Sequence, residues 1–140
     1  MYSLEPYVLQ KHTTLKSGGR SHYDLRIKIP NGNSLASWAM PKKSIPKNSG
    51  EKYLMVRTND HSQIWLHMKK FEIPADSYGA GTIETLEKGK VEILGWGDDS
   101  YITLNFTKSK YFSGKYQLIK IKGKQVSDRK NLWIIMKKFN

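Results

Sequence analysis

The sequence predicts an all-β protein, a compact single-domain barrel of about eight strands with little helix, spanning residues 1–140. Three observations carry that expectation. No window of ten or more residues has a helical hydrophobic period, whereas about eight or nine short segments read as strands, the last of them, Leu132 to Met136, almost continuously apolar. Turn-forming residues separate those segments, which is the signature of a barrel or sandwich. Eight Tyr, four Trp and four Phe supply bulky core material although only 38% of the chain is hydrophobic, and 140 residues are enough to enclose one core.

Taken in order, Tyr7 to His12 alternates as a strand, with Val8, Gln10 and His12 on one face. The loop Thr13 to Ser21 carries Lys16, Arg20 and the Gly18-Gly19 pair. His22 to Ile29 is the next strand: His22, Asp24 and Arg26 share one face, and Tyr23, Leu25, Ile27 and Ile29 point to a core. Pro30-Asn31-Gly32-Asn33 carries the Asn-Gly signal of a hairpin. Ser34 to Met40 returns with Leu35, Ser37 and Ala39 opposite Ala36, Trp38 and Met40, and Pro41 and Pro46 end it. Tyr53 to Thr58 is a strand running into a turn-like Asn59-Asp60-His61-Ser62, after which Gln63 to Phe71 alternates again. Ile73 to Thr82 is a loop in which Gly79 and Gly81 permit positive φ or close backbone approach. Thr82 to Leu86 and Lys90 to Leu94 read as two strands joined at Glu87-Lys88-Gly89. Gly95 to Asp99 turns, and Tyr101 to Phe106, Tyr116 to Ile121 and Leu132 to Lys138 complete the set.

The formal charge is +12. Glu72 to Asp99 holds seven acidic residues against two lysines, while Lys108 to Asn140 holds ten basic residues against Asp128 alone. A basic third of this kind attracts a polyanion, so a phosphate-rich partner is expected. The chain has no cysteine, which excludes disulfides, thiolate metal sites and cysteine nucleophiles. No stretch reaches the roughly 20 apolar residues of a membrane span, and the first residues lack the basic and apolar parts of a leader. A cytoplasmic protein is expected.

The chemistry concentrates between Gln10 and Arg26. Two of the four histidines, His12 and His22, stand there with Asp24 and Arg26 at two-residue steps. On facing strands, two imidazoles and a carboxylate would hold a divalent metal with open positions, and the guanidinium would grip an anion beside it. His61, next to Asp60, suits proton transfer near neutral pH. His67 reads as structural. Lys42 is either a phosphate contact or a solvated lysine. Three functions fit these residues. His22 and Asp24, followed 37 residues later by His61, would form the facial triad of a non-haem iron oxygenase. His12, His22 and Asp24 would instead hold a metal while Arg26 and His61 handle a phosphate. A basic barrel that only binds nucleic acid is the third.

The motifs Gln10-Lys11-His12, His22-Tyr23-Asp24-Leu25-Arg26, Trp38-Ala39-Met40-Pro41-Lys42, Asp60-His61 and Ile73 to Thr82 occur in series. Together with Ser113 to Tyr116 and Leu132 to Lys137, they resemble the 3′-phosphoesterase module of bacterial DNA ligase D and its stand-alone archaeal and bacterial relatives. That resemblance implies a β-barrel that heals 3′ ends at DNA or RNA–DNA primer–template junctions. It would remove a terminal ribonucleoside and then the 3′-phosphate, alongside a DNA ligase and other end-joining proteins, as a monomer at the nucleoid. It implies His12, His22 and Asp24 as ligands of Mn²⁺, with Zn²⁺ or Co²⁺ as other acceptable ions. Arg26, His61 and His22 would lie at the phosphate, with Gln10 and Lys42 in support. The chain departs from the pattern in its longer His12–His22 spacing, in Asn59 before Asp60-His61, and in Trp65 where tyrosine is usual. It also starts 11 residues before His12, which predicts a weaker phosphate-monoester step.

Overall fold

The computed structural model describes residues 2–15, 21–76, 80–122 and 131–139. Among these residues nine strands follow one another: β1 (Ser3–Thr14), β2 (Ser21–Lys28), β3 (Ser34–Met40), β4 (Lys52–Ser62), β5 (Lys70–Ile73), β6 (Gly81–Gly97), β7 (Tyr101–Phe106), β8 (Gly114–Lys120) and β9 (Leu132–Lys137). A 3-10 turn, Gln63–His67, separates β4 from β5. Every pairing is antiparallel, and the order β1-β2-β3-β4-β9-β8-β7-β6 closes when β6 pairs back to β1. The result is an eight-stranded barrel, with β5 attached to the free edge of β6. Closure leaves those eight strands without an open edge. Among the described residues no helix is long and apolar enough to cross a membrane.

Alternation along the strands fills the interior. Tyr7, Leu9, Leu25, Ile27, Trp38 and Met40 from one wall meet Tyr116, Leu118, Trp133 and Ile135 from the other. Trp38 and Trp133 meet edge to face at 5.6 Å, and Phe106 stacks on Phe112 at 4.1 Å. The other face of β1–β3 is also covered. There Val8 and Leu35 pack beneath Leu66 and Trp65 of the 3-10 turn. These strands are therefore buried on both sides, which positions a polar cluster between the barrel and its outer cover.

The expected faces of β1, β2 and β3 hold, and so does the Asn-Gly turn, in which Asn31 takes φ 62°. Gly81 bears out the reading of close approach: its φ is 148°, and a Cβ there would lie 1.9 Å from the carbonyl oxygen of Thr13. Gly79 and most of the Thr13–Ser21 loop fall outside the described residues.

Three expectations need correction. Gln63 to Phe71 does not continue as a strand. Ser62 caps a 3-10 turn by accepting from the backbone N–H of Ile64, and only Lys70–Ile73 is extended. Asn59 to Ser62 is not a turn but the end of β4. Thr82–Leu86 and Lys90–Leu94 are one strand, β6, without a turn at Glu87-Lys88-Gly89. The pairing shifts there from Leu9↔Glu87 to Gln10↔Thr85. The bulge at Leu86 breaks the alternation and so imitates a hairpin in the sequence.

Candidate functional site

The β1–β2 register sets His12 opposite His22, Gln10 opposite Asp24 and Val8 opposite Arg26. Directly opposed residues share a face, so the hairpin aims both imidazoles, the carboxylate and the guanidinium at one place. That place is the outer face of the barrel. It forms a groove of about 620 Å³, lined beside the cluster by Trp65, Ile73, Thr58 and His61.

One potential ligand atom from each of His12, His22 and Asp24 lies within 4.8 Å of the others. His22 Nε2 is 3.3 Å from Asp24 Oδ1, and His12 Nδ1 is 4.0 Å from Asp24 Oδ2. Two donors each about 2.1 Å from one ion stand up to roughly 4 Å apart. The cluster is therefore a possible metal site, closed by small side-chain rotations. Its nitrogen and oxygen donors suit a first-row divalent ion.

Arg26 is buried next to this cluster, with Nη2 3.6 Å from Asp24 Oδ2. Burial lowers its pKa and Asp24 opposes the shift; a guanidinium nevertheless keeps its charge. Two neighbours hold it. Nε donates to Gln10 Oε1 at 2.8 Å, and the Trp65 ring covers the guanidinium carbon at 4.8 Å from the ring centre. Gln10 is completely buried and donates in turn to the carbonyl of Trp65 and to Thr85 Oγ1.

His61 reaches the groove through a second bulge. The β3–β4 pairing shifts from Leu35↔His61 to Ser37↔Thr58, so both Thr58 and His61 face the cluster, which strict alternation would forbid. The His61 ring lies edge-on to Trp65, 5.5 Å between centres. Its Nδ1 is buried without a well-formed hydrogen bond, as is Ser37 Oγ. Burial, and then the nearby Arg26 charge, lower its pKa, while backbone at Asn59, Asp24 and Asp60 pull the other way. His61 is therefore neutral at pH 7.

Five of the expected site residues (His12, His22, Asp24, Arg26 and His61) line the groove from β1, β2 and β4, and Gln10 lies buried behind them, bonded to Arg26. His61 is not part of the group within 4.8 Å, which consists of His12, His22 and Asp24. Lys42 stands elsewhere: it is exposed beyond the end of β3, with Nζ 4.1 Å from the centre of the Tyr53 ring. His67 is exposed at the end of the 3-10 turn, beside Lys88 Nζ at 3.4 Å. The strands carrying the C-terminal lysines, β8 and β9, lie on the opposite side of the ring from β1 and β2. Sequence reasoning missed Thr85 and Thr58. The only trace of either was a break in alternation, read as a turn in both cases.

An eight-stranded antiparallel barrel with a His-His-Asp cluster beside a buried arginine defines a class suited to phosphate chemistry. The sequence matches the DNA ligase D 3′-phosphoesterase domain family over residues 10–135, and the chain belongs to that family. No curated protein matches it.

Proposed function

We propose that the protein is a metal-dependent phosphoesterase that heals 3′ ends of DNA and RNA–DNA primer–template junctions. It removes a 3′-terminal ribonucleoside as a phosphodiesterase and a 3′-phosphate as a phosphomonoesterase. The observation that carries this reading is the convergence of His12, His22 and Asp24 on one point beside Arg26, in a chain of the 3′-phosphoesterase family. The whole chain, 1–140, acts as one domain.

His12, His22 and Asp24 hold the ion, and Mn²⁺ is the ion proposed. When bound, it neutralises phosphate charge and activates the attacking nucleophile. Arg26 supplies paired N–H donors to the non-bridging oxygens of the scissile phosphate. It is already oriented by Gln10, so little reorganisation accompanies binding. His61 enters neutral and presents its ring nitrogen to a phosphate oxygen or, once protonated, to the leaving oxygen. His22, the more exposed imidazole, borders the phosphate as well as the ion. Lys42 lies beyond the groove and contacts the nucleic-acid backbone there. The charge of +12 steers the polyanion towards the protein at long range and makes binding sensitive to salt. The proposed setting is end joining at the nucleoid, as a cytoplasmic monomer working with a DNA ligase.

The test is a 3′-labelled primer–template incubated with and without Mn²⁺, using wild type and His22→Ala. Stepwise shortening or dephosphorylation by the wild type alone is expected. Intact ends with every divalent ion would leave the protein as a nucleic-acid-binding barrel.

A further inference from the structure

Gln10 orients Arg26, and something must orient Gln10. Its amide can be placed in two ways that differ by exchange of oxygen and nitrogen, and only one suits the guanidinium. Thr85 and the carbonyl of Trp65, which can only accept, decide between them. Its hydroxyl proton is committed, because Oγ1 donates to the carbonyl of Met68. Oγ1 can then only accept, and it accepts from Gln10 Nε2 at 3.1 Å. The second proton of the same amide goes to the carbonyl of Trp65 at 3.2 Å. With both donors used on that side, Oε1 faces Arg26 and accepts from Nε at 2.8 Å. The exchanged amide would set its nitrogen against the Arg26 N–H and its oxygen against the carbonyl of Trp65 and an occupied hydroxyl. Such unsatisfied buried contacts are strongly disfavoured.

We propose that Thr85 is a positioning residue for Arg26, acting through Gln10. The bulge at Leu86 is what brings Thr85 opposite Gln10. The backbone N–H of Thr85 also donates to the carbonyl of Lys69 at 2.8 Å. Carbonyls at Trp65, Met68 and Lys69 thus converge on Thr85 and Gln10, and the segment that also carries the Trp65 ring fixes the guanidinium from the side and from above. A threonine hydroxyl that never touches the groove thereby sets the direction in which Arg26 presents its donors. The catalytic part of this inference rests on Arg26 holding the scissile phosphate.

The decisive measurement is the Arg26 Nε–H signal in ¹⁵N–¹H spectra, assigned by its loss in Arg26→Lys. In the wild type it should exchange slowly with solvent. Thr85→Val, close in shape but without the hydroxyl, should speed that exchange by about tenfold or more, the scale of one lost buried hydrogen bond. Thr85→Ser should restore it. In turnover, Thr85→Val should lower kcat by about tenfold with KM little changed, and adding it to Gln10→Ala should cost nothing further. An unaltered Arg26 signal in Thr85→Val, or additive losses in the double variant, would overturn the proposal. A wild type inert towards every 3′ end would count against the phosphoesterase reading, while the Arg26 signal would still decide the role of Thr85.

Discussion

Two walls of the same barrel are built to different rules. The wall formed by β8 and β9 buries Tyr116, Leu118, Trp133 and Ile135, and its single buried charged residue is Lys137. That lysine donates to the carbonyl of Lys138 at 3.1 Å and lies over the Tyr116 ring. The wall formed by β1 and β2 buries Glu5, Gln10, His12, Asp24 and Arg26. Strand pairing and closure are the same in both. A polar group withdrawn from water is costly unless it is paired, and the β8–β9 wall closes with only one such group, Lys137. Of the polar residues on β1 and β2, Glu5 pairs with Lys28, while Gln10, His12, Asp24 and Arg26 cluster at the groove, where their mutual contacts offset the cost of burial.

The comparison can be broken from the apolar side first. Trp133 is buried against Trp38 in the main core. Trp133→Ala should lower unfolding stability by about 3–5 kcal/mol, the usual cost of truncating a buried tryptophan. Mn²⁺ affinity of the protein that remains folded should be unchanged. Urea titration and calorimetric metal titration check the two halves. From the polar side, Asp24→Asn keeps the shape but removes the charge that both imidazoles and Arg26 face. End processing should fall by about 10²–10³-fold, or roughly 3–4 kcal/mol of transition-state stabilisation, and metal binding should weaken in parallel. If Asp24→Asn left metal affinity intact, the polar wall would have lost its explanation.

The same contrast governs what the sequence reveals. Regular alternation exposed the faces of β1, β2 and β3, so the cluster of His12, His22, Asp24 and Arg26 could be read directly. A one-residue phase is all that such a reading requires. The bulges in β4 and β6 were not legible. A bulge shifts that phase without a glycine or proline of its own, and the shift at Leu86 stands next to Glu87-Lys88-Gly89, which look like a turn. The 3-10 turn at Gln63–His67 was hidden for a related reason: over five residues, Ile64, Leu66 and Met68 satisfy a strand pattern equally well. What sequence could not supply was therefore the third dimension of the site, the way His61, Trp65 and Thr85 arrive over the hairpin. Lys42 is placed away from the groove for another reason. Its motif neighbours Trp38, Met40 and Ala39 occupy the expected faces, but the chain passes Pro41 before Lys42, and its side chain settles over Tyr53.

Arg26→Lys sharpens the polar side further. It retains a positive charge next to Asp24 but loses the planar fork, the bond to Gln10 and the stacking beneath Trp65. A point charge cannot replace bidentate donation. Turnover should fall by about tenfold to a hundredfold, with a smaller change in Mn²⁺ affinity than in Asp24→Asn. Equal activity of lysine and arginine at this position would mean that charge alone matters, and that the scaffold around the guanidinium is incidental.

The smallest effect concerns pH. His61 has a lowered pKa, chiefly because it is buried and next because Arg26 is near. In the unfolded chain the same imidazole titrates near 6.5. Between those values the unfolded state binds a proton that the folded state refuses, so stability should be complete above about pH 6.5 and decline as pH falls towards the depressed value. The slope from one such group is at most about 1.4 kcal/mol per pH unit. Metal-free protein should therefore show a lower urea midpoint at pH 5 than at pH 7.5, and His61→Gln should flatten the part of that change that His61 contributes. A variant with the same pH dependence as the wild type would place His61 in a solvated setting and remove it from the comparison between the walls.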